Sequence, residues 1–170
     1  TPFTSVQLPS TLTSINREAF RNTQLTDVVI PEGVNSIGRE AFMGSALTSV
    51  ELPSTLTSIA NDAFRDTQLT SVVIPEGVKS IGSAAFWGTQ LTSVQLPSTL
   101  TTIGGSAFRD TQLTSVVIPE GVTSIGNYAF FDTPLDSVQL PSTITTIGDN
   151  AFDSDVAVNF VHTGTLTISG

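Results

Sequence analysis

Apolar and polar positions alternate along this chain in a pattern that returns every 22 residues. In one copy the apolar positions are Leu25, Val28, Ile30, Val34, Ile37, Ala41 and Phe42. The segment Val28-Val29-Ile30 is β-branched with period two, which predicts a very short strand. Residues 28 and 30 then point inward, and 27 and 29 point outward. Pro31 ends this strand, because proline has no N–H for a ladder. Glu32-Gly33 supplies a turn in which glycine takes a positive φ cheaply. A second extended piece, Asn35-Ser36-Ile37, leads through Gly38 into a predicted helical turn, Arg39 to Phe42. Phe42 is the bulkiest inward side chain of the copy.

The same step separates Pro9, Pro31, Pro53, Pro75, Pro97, Pro119 and Pro141, and likewise Phe20, Phe42, Phe64, Phe86, Phe108, Phe130 and Phe152. Self-similarity at such a period predicts a solenoid, in which each copy forms one coil stacked on the next. A single coil cannot bury enough apolar surface to offset the ordering of its backbone, so neighbours must cover its faces. Coils alternate between an LPSTL form (Leu8 to Leu12, Leu52 to Leu56, Leu96 to Leu100) and an IPEGV form (Ile30 to Val34, Ile74 to Val78, Ile118 to Val122). The full sequence period is therefore 44. Residues 1–155 make seven coils, a rod or arc about 33 Å long at the spacing of stacked strands. Beyond Asp155 the register fails. Val156 to Phe160 and Thr165 to Ile168 read as a strand pair around His162-Thr163-Gly164, capping the open end. A linker to a further domain is the competing reading. The chain opens part-way through a repeat, at Thr1, and is expected to be a processed or excised piece of a longer protein.

Composition narrows the function classes. Only 12% of the 170 residues are charged and the net charge is −9, with six Lys and Arg in total. Phosphate binding needs a basic stripe, so nucleic acid is excluded as a partner, and docking on anionic membranes is disfavoured. No apolar run is long enough to span a membrane. With no cysteine, neither disulfides nor thiolate chemistry is on offer, and stability must come from stacking.

The pattern L-x-x-V-x-L/I-P-x-x-L/V-x-x-I-G-x-x-A-F, as in Leu91 to Phe108, resembles the bacterial leucine-rich repeats of the BspA-like, or Treponema pallidum, type. The resemblance covers residues 3 to about 155. Leu25, Leu47, Leu69, Leu91, Leu113 and Leu135 match the family's leading leucine, and Phe3 replaces it in the first coil. Family members commonly carry a Cys three residues after the Phe. Here that column is Thr23, Ser45, Thr67, Thr89, Thr111 and Thr133, so any trait tied to the Cys is absent. The resemblance implies an α/β solenoid, a right-handed curved coil. Its short parallel strands would line the concave side, with short strands, turns and helical turns on the convex side. It also implies cell-surface proteins that adhere to host proteins, other cells or matrix.

In a solenoid an outward position repeats as a column, so candidate sites run down columns. The expected concave strip is Gln7, Val29, Glu51, Val73, Gln95, Val117 and Gln139, with Val29, Glu51, Val73, Gln95 and Val117 as the binding candidates. Against this, valine also favours strands for backbone reasons alone. The column after the Phe is Arg21, Met43, Arg65, Trp87, Arg109, Phe131 and Asp153. Met43, Arg65, Trp87, Arg109 and Phe131 form a second candidate, because these types are enriched at interfaces. The alternative there is a set of internal cation–π stacks. Threonine columns (Thr4, Thr26, Thr48, Thr70, Thr92, Thr114; Thr13, Thr57, Thr101, Thr123, Thr145) raise ice binding as a minor possibility, interrupted by Asn35 and Lys79.

No enzyme is read here. His162 is the sole histidine, and no serine has a visible activating partner. Glu32, Glu76 and Glu120 recur every second coil without a catalytic geometry. Asp132, Asp136, Asp149, Asp153 and Asp155 crowd the last coil, but their spacing matches no calcium loop. Neither a cofactor nor a metal is expected. The expectation is a non-enzymatic protein- or glycan-binding module of an exported surface protein, engaging host matrix or another cell. The alternative is a structural spacer that holds another domain away from the surface.

Overall fold

The computed structural model describes residues 3–161, which wind into a stack of parallel coils. The coils form two strand rows, and the coil bearing Val117 has no strand in the first of them. The first row holds β2 (Asp27–Val29), β4 (Ser49–Glu51), β6 (Ser71–Val73), β8 (Ser93–Gln95), β11 (Ser137–Leu140) and β13 (Ala157–Phe160). The second holds β1 (Ser14–Ile15), β3 (Ser36–Ile37), β5 (Ser58–Ile59), β7 (Ser80–Ile81), β9 (Thr102–Ile103), β10 (Ser124–Ile125) and β12 (Thr146–Ile147).

The second row is one unbroken seven-stranded parallel sheet, with every pair offset by one repeat, as in Ser14↔Ser36 and Ile37↔Ile59. The first row is interrupted. β2 pairs with β4, β6 with β8 and β11 with β13, each as a separate two-stranded sheet. Strands this short are stable only because each coil's unpaired N–H and C=O groups find partners on the coils above and below.

The inward positions expected from the pattern form the core. Leu25, Val28, Ile30, Val34, Ile37, Ala41 and Phe42 are all buried, while Asp27 and Val29 face solvent. The seven phenylalanines stack down the interior with ring centroids 5.1 to 5.4 Å apart. The five from Phe42 to Phe130 are fully buried. In the Glu-Gly turns, Gly33, Gly77 and Gly121 take φ of 101°, 102° and 105°, a conformation that would strain any residue with a Cβ.

The helical turn expected at Arg39 to Phe42 is not formed, and the described residues contain no helix. An α-helix sends each N–H to the carbonyl four residues back. Here alternate N–H groups leave the coil. Glu40 donates to Asn61 (3.1 Å), Phe42 to Ala63 (2.8 Å) and Gly44 to Arg65 (2.8 Å). The residues between them close tight local turns, with Ala41 to Gly38 (3.2 Å), Met43 to Glu40 (3.2 Å) and Ser45 to Phe42 (3.1 Å). This alternation requires left-handed backbone at Glu40 (φ 57°), and the same column is left-handed at Glu18, Asp62, Ala84, Ser106, Tyr128 and Asn150. A left-handed non-glycine residue costs roughly 1–2 kcal/mol, which the bonds between coils offset.

At the C-terminal end, β13 runs parallel to β11 with Ser137 opposite Ala157, and so extends the first row by one coil. The strand pair expected over 156–170 needs residues 165–168, which lie outside the described residues, as does His162.

Candidate binding surfaces

Along the first row the alternation of a strand sends residues 29, 51, 73, 95 and 117 to one outer face. Val29, Glu51, Val73, Gln95 and Val117 are all exposed there, the three valines at 58%, 62% and 82%. An apolar side chain left this open in every second coil, with Glu51 and Gln95 between, makes a strip able to offer both apolar contact and hydrogen bonds. Ser49 and Ser71 flank it. A shallow depression of about 330 Å³ opens between β4 and β6, lined by Ser49, Val50, Glu51, Leu52, Ser71, Val72, Val73 and Pro75.

The second candidate is brought together more tightly. The Arg65 guanidinium lies 4.1 Å from the Trp87 ring centre, and that of Arg109 lies 5.1 Å from it. Arg109 also lies 5.3 Å from Phe131, so cation and ring alternate over four coils. Tyr128 joins this edge, 5.7 Å from Arg109 and edge-on to Phe131 at 5.5 Å. Sequence reasoning missed Tyr128 because it sits in a different column. Its spacing of three from Phe131 was the available signal. Acids engage the cations and the indole: Asp62 and Asp66 lie 3.3 Å from Arg65, and Asp110 accepts from the Trp87 Nε1–H at 2.7 Å. These contacts are internal to the stack. Met43, one coil above Arg65, is half-buried on the same edge.

Other columns have structural partners. Thr67, Thr89, Thr111 and Thr133 are buried, and each hydroxyl donates to the carbonyl of the preceding Phe at 2.7 to 2.9 Å. Most surface threonines of the two columns donate to the coil before them, as Thr48 does to Thr26 (3.0 Å) and Thr145 to Thr123 (2.9 Å). Glu32 accepts from the backbone N–H and the hydroxyl of Ser54; Glu76 does the same with Ser98, and Glu120 with Ser142. The Ser54 N–H, and then its hydroxyl, hold the Glu32 carboxyl below its ordinary value, and Ser98 acts on Glu76 in the same way. Asp132 is pushed up, by loss of solvation and by the carboxylate of Asp110. Among the described residues, no three His, Cys, Asp or Glu side chains gather as a metal site.

Parallel coils, phenylalanine stacking and an inward leucine column define a β-solenoid of the leucine-rich-repeat class. The model of the BspA type leucine rich repeat region matches residues 1–112 and 35–159, and this chain belongs to that family. Among solved structures it is similar to the T. pallidum leucine-rich repeat protein TpLRR, at 31% identity and a TM-score of 0.76 over 83% of this chain and 71% of that one. A leucine-rich cell surface protein from Faecalibacterium prausnitzii is 26% identical, with a TM-score of 0.64 over 91% of this chain and 53% of that one. A leucine-rich repeat protein from Bacteroides ovatus shares the fold at 23% identity and a TM-score of 0.62, over 88% of this chain and 55% of that one. Among curated protein sequences none matches.

Proposed function

We propose that this chain is a non-enzymatic binding module of an exported cell-surface protein, and that it holds a protein or glycan ligand against the first strand row. The observation that carries this reading is the strip of three open valines, Val29, Val73 and Val117, interleaved with Glu51 and Gln95. Within β2–β4 and β6–β8 the strip's strands are fixed by pairing, so little ordering cost attaches to binding there, and many modest contacts suffice. A surface location is supported by the family and by the description of the F. prausnitzii relative as a cell surface protein. No helix among the described residues is long and apolar enough to cross a membrane. The first row is taken as the concave side of a right-handed arc.

Binding to immobilised matrix proteins and a glycan array, compared between this chain and its Val29→Glu/Val73→Glu/Val117→Glu variant, tests the assignment. Loss of binding in a folded variant is the expected result. Retained binding moves the site to the Arg65–Trp87–Arg109–Phe131 edge. If the parent chain binds nothing, a spacer role replaces adhesion. The near-identity of successive coils favours that second reading, since a specific site usually departs from the repeat. Ice binding is weakened because most hydroxyls of the threonine columns, those of Thr48, Thr57 and Thr145 among them, donate to backbone carbonyls.

A further inference from the structure

We propose that the middle of the solenoid holds two rigid two-coil blocks, β2 with β4 and β6 with β8, and bends at the seam after each, opening on the first-row side. Three independent features fall on the same boundaries. Strand pairing joins β2 to β4 and β6 to β8, but nothing pairs β4 with β6, or β8 with the segment around Val117. The threonine column repeats this in the middle coils: the Thr48 N–H donates to Thr26 at 2.8 Å and Thr92 to Thr70 at 2.9 Å, whereas no such bond joins Thr70 to Thr48 or Thr114 to Thr92. The first coil is tied to the second, Thr26 to Thr4 at 2.9 Å, and Gln112 to Leu91 at 2.9 Å is a bond across the second seam beside the row. The glutamate clamps follow the same blocks. Glu32 reaches forward to Ser54, and Glu76 to Ser98, always from an IPEGV coil to the LPSTL coil after it.

Thr55 reinforces the first block by accepting from the Gly33 N–H (3.0 Å) while donating to the Val34 carbonyl (2.8 Å). Thr99 does the same to Gly77 and Val78 in the second.

Packing agrees. Inward residues of the block-opening strands are buried (Val28, Ile30, Val72, Ile74), while those facing a seam are half-buried (Val50, Leu52, Val94, Leu96). The depression between β4 and β6 lies on the first of these seams. The last coils depart from the pattern: Glu120 clamps Ser142, yet the row between residue 117 and β11 is unpaired, Val116 is half-buried while Val138 and Leu140 are buried, and β11 pairs forward with β13.

The other sides of each coil run through the seams without a break. The second strand row is continuous, Phe64 and Phe86 stack at 5.3 Å across the first seam, and the Lys79 N–H donates to Thr57 at 3.2 Å. A stack tied on those sides and untied on one has its hinge axis along the tied sides. Bending then changes the spacing of the outer first-row columns while leaving the phenylalanine core closed.

The chain is free of cysteine, so paired nitroxide labels can be placed at will. Asp27→Cys/Ser137→Cys spans the first row, and Asn35→Cys/Thr145→Cys spans the tied side. Both pairs are five coils apart, about 24 Å at the spacing of stacked strands. Pulsed dipolar spectroscopy is expected to give a distance distribution at least twice as wide for the first pair. Hydrogen exchange of the unlabelled chain is the second measurement: the amides of Ile30 and Ile74, bonded to Glu51 and Gln95 at 3.0 Å, should exchange at least ten-fold more slowly than those of Leu52 and Leu96. Equal widths, or equal exchange rates, overturn the hinges.

Discussion

The carboxylate of Glu76 accepts from both the backbone N–H and the hydroxyl of Ser98, each at 2.9 Å, and so ties one coil to the next on the outer surface. That contact explains why a glutamate recurs every second coil at Glu32, Glu76 and Glu120: the acid is an intercoil clamp. Glu76→Ala is expected to lower the melting temperature, and Ser98→Ala to lower it less, because the backbone N–H of residue 98 survives. Thermal denaturation of the two variants beside the parent checks the order.

The clamps also set a pH dependence. Glu32 and Glu76 lie below their ordinary value of 4.5 in the folded chain. Between that value and the lowered one the unfolded chain binds more protons, so their contribution is complete above about 4.5 and is lost as pH falls through the folded values. Asp132 runs the other way. Its folded value is raised above 3.8, so its ionisation lowers stability as pH rises through that window. Urea midpoints measured from pH 3 to 7 should show a fall toward acid that Glu32→Gln/Glu76→Gln reduces, and Asp132→Asn should raise the midpoint at pH 7.

Phe86 is fully buried and stacks on Phe64 and Phe108 at 5.3 and 5.4 Å. Phe86→Ala removes a ring from the middle of a column whose neighbours are fixed by intercoil hydrogen bonds, so the gap cannot collapse. The expected loss is about 3–5 kcal/mol by urea unfolding. Phe20 stacks on Phe42 but is itself only half-buried, and Phe20→Ala should cost less.

The buried column after each Phe contains one defect. Ser45 is 2% exposed and its hydroxyl has no partner. Thr67 and Thr89, one and two coils on, donate to the Phe carbonyl at 2.9 Å. Ser45→Thr supplies a buried methyl and restricts the hydroxyl toward the Phe42 carbonyl. A gain of about 0.5–1.5 kcal/mol is expected, read from the same urea titration.

Much of this was legible in the sequence, because repetition turns each structural position into a column. The inward set from Leu25 to Phe42, the short strand ended by Pro31 and the alternation of two coil types all follow from spacing. The helical turn did not follow. Left-handed backbone is advertised by Gly, Asn or Asp, and one of the two columns that take it here reads Glu18, Glu40, Asp62, Ala84, Ser106, Tyr128 and Asn150. The signal lay four residues on, where Asn22, Gly44, Asp66, Gly88, Asp110 and Asp132 are left-handed too; in the first column residue type says little, because hydrogen bonds to the next coil impose the conformation. The clamps were hidden for a similar reason: Glu32 and Ser54 are 22 residues apart, and only the stacked geometry shows that they touch.

Arg65 and Trp87 decide how the second candidate edge should be regarded. The guanidinium sits 4.1 Å from the ring centre, its side chain is 30% exposed, and Asp62 and Asp66 flank it. If the edge is chiefly a stack within the solenoid, a double-mutant cycle of Arg65→Ala and Trp87→Ala should return a coupling of about 0.5–1 kcal/mol. Trp87→Phe should keep part of it, since the ring face remains and only the Nε1–H bond to Asp110 is lost. Near-zero coupling would mean that cation and ring are adjacent without holding each other. The pair would then be free to turn outward, and the edge would regain its standing as a binding surface for the arginine and aromatic side chains it presents.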